Sequence, residues 1–247
     1  MNGARIVITL SEGTLDGLDR SLDRLGARWV HKPLLTFESS EFWPALWKSV
    51  AALDRFGAVA ISSPRSAALY AKAVREARVV SPPVWATGPG TARELRRLNP
   101  VHFVESPGRD GAAAALARMM VVRGVAGPVL FPCGEHHRDV LPSTLRDVGI
   151  EVEEFVCYRA VIAPEEMLRE SAASGDVIVV ASGRVARALC HAVPGSERPA
   201  LVALGPVTAQ AASSAGWHPA AVTDEPTIPS LLQALHGTLN LFPGARR

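Results

Sequence analysis

The sequence has no apolar run approaching the eighteen or so residues that a membrane-spanning helix needs. Its opening, MNGARIVITL, holds too short an apolar stretch for an export signal before acidic residues follow. Both absences point to a cytoplasmic protein. Cysteine is scarce: Cys133, Cys157 and Cys190 are odd in number and far apart. That excludes a disulfide framework, suits a reducing compartment and leaves the three thiols as small buried hydrophobes. Lysine is almost as scarce, Lys32, Lys48 and Lys72 standing among 26 basic residues. Arginine suits a bidentate grip on carboxylates or phosphates, although a bias in genome composition gives the same count. The formal charge is only +2 and no block of like charge occurs, so the electrostatic footprint of a nucleic-acid binder is missing.

What is present is a folding composition written twice. The 247 residues are 48% apolar, enough for one large or two small domains. Three pieces recur in the same order. IVITLSEGTLDGLDRSLDRLGARWVHKPLL matches VLFPCGEHHRDVLPSTLRDVGIEVEEFVCY, each a strand, a turn, an amphipathic helix, a glycine stop (Gly26, Gly149) and a second strand. AVAISSPRSAALYAKAV matches VIVVASGRVARALCHAV, which aligns Ser63 with Ser182. ATGPGTAREL matches ALGPVTAQAA, repeating Gly88 and Thr91 as Gly205 and Thr208 after 117 positions. Each half then reads strand, helix, strand, helix, strand, helix. Such alternation predicts parallel sheets covered by helices on both faces, hence two flavodoxin-like layers. A plain duplication would put the boundary near residue 123, but the extended stretches PLLTFES and EFVCYRAVIAP are places where a chain can cross between domains.

In open parallel sheets, ligands bind beyond the carboxyl ends of the strands, where the serine and glycine turns fall. There a helix N-terminus offers free N–H groups to an anion, and Thr91 and Thr208 either donate a hydroxyl or cap their helices. Sharper motifs fail. GPGTAR completes no dinucleotide fingerprint, since Pro89 interrupts it. CGEHH gathers Cys133, Glu135, His136 and His137, yet no second ligand pair at zinc spacing follows, and adjacent histidines in a polar turn read as solvated. No GxSxG or reactive-cysteine context marks a nucleophile. The pattern is that of a cleft rich in backbone donors and hydroxyls, without an acid–base pair.

LFPCGEHHRDVLPSTLRDVGIEVEEFVCYRAV, with ISSPRSA, TGPGTA, ALGPVTAQAASSAGW and the tail TDEPTIPSLLQAL, closely resembles uroporphyrinogen-III synthase over essentially the whole chain. The resemblance implies two α/β domains joined by a two-stranded connector with a cleft between them. One domain would be formed by residues 1–35 plus 162–247 and the other by residues 38–157. It implies closure of hydroxymethylbilane to uroporphyrinogen III, with loss of water and inversion of ring D, and no cofactor or metal. The linear tetrapyrrole closes unaided to the symmetric isomer, so the protein's task is to control geometry. Tyr158, in CYRA, matches the family tyrosine thought to help the hydroxyl leave as water, with the alternative that it only packs beside the connector. Ser63, Arg65 and Thr91 match one domain's cleft motifs, Ser182 and Thr208 the other's. With the backbone at Gly88, Gly134 and Gly205 they are read as binders of the substrate's carboxylates. Arg138 is either a further partner for a propionate or acetate or a solvated surface cation.

The sequence departs from the family in two places. Ser182 is followed by Gly183 where many members have proline, and the first strand ends Thr9, Leu10, Ser11 where Thr-Arg is usual. The resemblance suggests a monomer in transient contact with the enzyme that supplies the unstable substrate, and a cleft that closes over it. The alternatives are a catalytically inactive, tetrapyrrole-binding or regulatory relative and an unrelated sugar- or phosphate-binding protein. Inactive relatives are found fused to DNA-binding segments, for which the ending LFPGARR leaves no room, and the missing export signal disfavours the binding protein.

Overall fold

The computed structural model describes residues 3–98, 104–105, 107 and 113–241. In chain order the elements are β1 (Arg5–Ile8), α1 (Leu18–Arg24), β2 (Arg28–His31), β3 (Leu35–Glu38), α2 (Trp43–Ala51), β4 (Ala58–Ile61), α3 (Pro64–Ala77), β5 (Val84–Ala86) and α4 (Pro89–Leu98). There follow β6 (Val104–Glu105), α5 (Ala113–Val122), β7 (Val129–Gly134), α6 (Val140–Asp147), β8 (Val152–Ile162), α7 (Glu165–Ala173) and β9 (Val177–Val180). The last are α8 (Gly183–Ala192), β10 (Ala200–Ala203), α9 (Pro206–Ser214), β11 (Ala221–Val222) and α10 (Ile228–Leu241). The chain divides into two compact units, Met1–Thr36 with Val161–Arg247, and Phe37–Ala160.

The first unit is built on a parallel five-stranded sheet in the order β11-β10-β9-β1-β2. Period-two alternation decides which helices each strand meets. In β1, Val7 joins Leu168, Leu189 and Trp217 on one face, while Ile6 and Ile8 join Leu22, Leu231 and Leu235 on the other. A strand buried on both faces reads as an unbroken apolar run, as VIVV in β9 does. Its helices stop where glycine permits: Gly26, at φ 60, donates to the Asp23 carbonyl just past α1.

The second unit places β8, β7, β4, β5 and β6 in that order, all parallel, with β3 beyond β8. If the repeated pieces are matched, β7 and β8 correspond to β1 and β2, and β4, β5 and β6 to β9, β10 and β11. Equivalent strands thus hold equivalent places, and the second unit traces the flavodoxin-like order from a different starting strand. In both sheets the order reverses beside the strand of the first repeated piece, between β1 and β9 and between β7 and β4. The repeated pieces end each half at the third helix, and the tail TDEPTIPSLLQAL resembles a closing loop and helix, which is α10. The structure adds β6 with α5, and β11 ahead of α10; both strands have two residues, too few to show a period.

The unit boundaries fall inside β3 and β8. β8 is eleven residues long and runs on past its last partner on β7. There Arg159 holds Glu38 at 2.7 Å and Glu41 at 3.0 Å, tying the strand to β3 and to the turn after it.

Gly57, just before β4, donates to the Pro128 carbonyl at 3.0 Å, and a Cβ there would lie 1.7 Å from the Ala126 carbonyl oxygen. Gly57→Ala must push two backbones apart, at a cost of about 1–3 kcal/mol. Gly237, exposed inside α10 with nothing within 4 Å of an added Cβ, should instead gain about 0.5–1 kcal/mol as alanine. Urea midpoints of the two variants are expected to move in opposite directions from the parent; equal midpoints would contradict the close approach.

Candidate active site

A cavity of about 420 Å³ opens at the carboxyl ends of the strands of the second unit, lined among others by Ser62, Thr87, Gly134, Arg138 and Tyr158. Ser62 follows β4 and Gly134 ends β7, so the cavity lies at the point where the strand order reverses, the usual ligand position in such sheets. The strand ends there are tied by a threonine: the Thr87 hydroxyl donates to the Ser62 carbonyl at 3.2 Å.

Tyr158 owes its position to an irregularity. Pairing of β7 with β8 is regular from Val129–Val152 to Cys133–Val156, then skips to Gly134–Tyr158, a bulge with one extra residue on β8. Alternation sends Phe155 and Cys157 to the face carrying α3, and would send Tyr158 to the opposite one. The bulge keeps Tyr158 on the side of Cys157, packed against the same cluster. Its ring lies on Gly134, where an added Cβ would stand 2.7 Å from Cζ and 2.9 Å from the phenol oxygen. Phe37 meets the ring edge-on at 5.7 Å, and the phenol oxygen is 3.3 Å from Ser63 Oγ.

Ser63 is the N-cap of α3. Its Oγ accepts the Ser66 backbone N–H at 3.0 Å, with Pro64 at the first helical position. Arg65, two residues on, lays its guanidinium over Phe37 at 3.6 Å. Partial burial lowers its pKa and the neighbouring Tyr158 opposes that shift, which leaves a cation beside the phenol. Arg138 is exposed on the cavity rim. Gly88 accepts the Ala92 N–H at the start of α4, beside Thr87. Thr91 is the third residue of α4 and buried, so it is not the helix cap that a glycine turn suggested.

In the first unit, Ser182 is the N-cap of α8 but makes no capping hydrogen bond with its side chain. Gly205, at φ 95, precedes α9. Thr208 is again the third residue of its helix and buried, and its hydroxyl donates to the Ala181 carbonyl at 3.1 Å. Thr9 does likewise to Val179 at 2.7 Å, so one hydroxyl ties the end of β1 to β9 and the other ties α9 to the residue after β9. The departure at Gly183 has a local cause: a Cβ there would meet that of Ala211 at 2.8 Å, and glycine lets α9 close on α8.

One arrangement has no counterpart in the sequence pattern. His136 is exposed, as expected, but His137 turns inward, its Nδ1 3.1 Å from the Gly134 carbonyl and its Nε2 2.5 Å from Glu154 on β8. Glu154 is also held by Arg146 at 2.6 Å. Only strand pairing brings Glu154 to the histidine, and spacing along the chain carries no sign of it. The three cysteines are buried and unpaired.

The family model described as uroporphyrinogen-III synthase HemD matches residues 16–233. Among solved structures, a mutant uroporphyrinogen III synthase from the extremely thermophilic bacterium Thermus thermophilus is similar at 17% identity, covering 97% of this chain and 100% of that one, with a TM-score of 0.65. A uroporphyrinogen-III synthetase from Helicobacter pylori is similar at 16% identity, covering 94% and 98%, with a TM-score of 0.61. No curated protein matches the chain significantly in sequence.

Burial raises the Cys157 thiol to about 11, while a bond to Ser66 opposes the rise. A thiol that holds its proton more tightly in the folded state contributes stability in full below its ordinary value, 9.0, and loses it as pH climbs toward 11. At pH 10.5 the loss is about 2 kcal/mol. Urea unfolding at pH 8 and pH 10.5 should show a smaller drop in Cys157→Ala than in the parent; identical drops would mean the thiol titrates as in the unfolded chain.

Proposed function

Because the chain belongs to the uroporphyrinogen-III synthase family, and so closes hydroxymethylbilane to uroporphyrinogen III with loss of water and inversion of ring D, we propose that Tyr158 is the group that assists departure of the hydroxyl. The observation that carries this is the phenol at the strand-reversal cavity, clamped on Gly134 and 3.3 Å from Ser63. Ser63 Oγ accepts the Ser66 N–H and gives its own hydrogen to Ser66 Oγ at 3.0 Å, so it meets the phenol as an acceptor. When substrate binds, the phenol hydrogen turns from Ser63 to the substrate hydroxyl, which leaves as water. The lone pair of the pyrrole nitrogen drives that departure, and the phenol assists without being indispensable.

The remaining work is positional. Every pyrrole ring of the substrate carries an acetate and a propionate. We read Arg65, Arg138, Gly88, Gly134 and Thr91 as the part of the second unit that holds some of these, through guanidinium groups and the N-terminus of α4. Ser182, Gly205 and Thr208 are the corresponding part of the first unit, where Thr208 keeps a strand end in place while the N-terminus of α9 faces the ligand. The functional domains are taken as 1–35 plus 162–247 and 38–157. Three unpaired thiols support a cytoplasmic enzyme. It is read as a monomer that meets the preceding synthase transiently, since its substrate is lost to spontaneous closure if released for long.

Hydroxymethylbilane generated in situ, closed in the presence of the protein, oxidised and separated by chromatography should give predominantly the type III isomer. Type I alone from folded protein would mean binding without directed closure. Tyr158→Phe is expected to lower kcat about 10- to 100-fold, at or below the low end for a positioned proton donor, with KM and the type III product unchanged. A Phe variant as fast as the parent would remove the role. Gly134→Ala, which drives a methyl group into the phenol ring, should lower kcat at least as far; full activity would show that the ring's seat on Gly134 is dispensable.

A further inference from the structure

Behind the wall of the same cavity, three groups of different chemistry converge. Cys133 Sγ, a nitrogen of His137 and a carboxylate oxygen of Glu154 all lie within 4.8 Å of one another. Strand pairing explains the convergence: Phe131 and Cys133 share a face of β7, and Glu154 on β8 stands opposite Phe131 on that face. The turn after β7 then folds His137 back edge-on against Phe131 at 5.5 Å. CGEHH alone offers no second ligand pair, and the third donor comes from the next strand.

The outer atoms of the cluster are already engaged in the way that metal ligands are. His137 Nδ1 faces the Gly134 carbonyl, which fixes the ring and leaves Nε2 as the outward nitrogen. Arg146 holds Glu154 Oε1, which leaves Oε2. These two remaining atoms, Nε2 and Oε2, point at each other at 2.5 Å, with the Cys133 thiol beside them. From this geometry we propose that Cys133, His137 and Glu154 form a site for one divalent cation of the zinc class, with its fourth position toward the cavity that His137 lines.

Thiolate, imidazole and carboxylate are the ligand types that zinc takes, at roughly 2.3, 2.0–2.1 and 2.0–2.2 Å. Reaching them requires Nε2 and Oε2 to part by about 1 Å, to the edge of such a tetrahedron. Binding displaces the proton between Nε2 and Oε2 and the Cys133 proton, both to solvent, and two anionic ligands then balance the ion's charge. Without metal, burial pushes the Cys133 thiol up to about 12 and its hydrogen points to the Phe155 carbonyl, so the thiol keeps its proton. The proposal does not depend on the roles given to Tyr158 or to the carboxylate binders, and ring closure is not routed through the ion.

Cobalt(II) is the probe. Titrated into reduced, chelator-treated protein, it should give one equivalent of a tetrahedral visible spectrum with a thiolate-to-cobalt charge-transfer band, which zinc then abolishes. In Cys133→Ser the charge-transfer band should vanish and zinc affinity fall at least about tenfold; Glu154→Gln should weaken both metals. Circular dichroism checks that each variant is folded, and if Cys133→Ser is not, Glu154→Gln carries the test alone. Absence of a thiolate band in the folded parent would overturn the site. So would zinc binding that His136→Ala removes and Cys133→Ser leaves unchanged, since that is a surface histidine.

Discussion

The contact between the Tyr158 ring and the Cα of Gly134 is the constraint on which the rest of the site depends. A side chain at position 134 would put an atom within 3 Å of the ring, so phenol and side chain would compete for one space. The bulge on β8 delivers the ring there by spending one extra residue between Cys133–Val156 and Gly134–Tyr158. The same register carries Glu154 to the opposite face, where it meets His137. Gly134 thus serves both sides of the sheet, its Cα under the phenol and its carbonyl against the imidazole.

Around that point the fold supplies ends of strands and beginnings of helices, and few acids or bases. The two sheets place equivalent strands in equivalent positions although the chain enters them at different strands. Each therefore has a strand-reversal point, and at each the threonine hydroxyls hold strand ends: Thr87 on Ser62 in one unit, Thr9 on Val179 and Thr208 on Ala181 in the other. A reaction whose product isomer is decided by geometry needs a rigid frame more than a catalytic dyad. Donors on the ends of buried strands provide one, because the central strands are packed on both faces.

Legibility followed the range of the interaction. The helix stops at Gly26 and Gly149 and the buried strands AVAI and VIVV are local, set by a residue's own φ or by an apolar run of four positions, and all could be read from the chain. The strands β6 and β11 could not, since two residues hold no period. For Thr91 and Thr208 the turn pattern leaves two uses, a donated hydroxyl or a helix cap, and the fold removes the second, since each helix begins two residues earlier, at a proline. Gly183 departs from the family pattern for a reason that lies in α9, since Ala211 leaves no space for a Cβ at that position.

The sequence by itself determined the α/β class, the duplication and the family, because these rest on residue order and on periods that strands and helices impose on neighbours in the chain. Tertiary structure alone decided which face Tyr158 takes and which carboxylate His137 meets. Both depend on how β7 and β8 slide past each other by one residue, and register is a property of two strands that neither strand encodes alone.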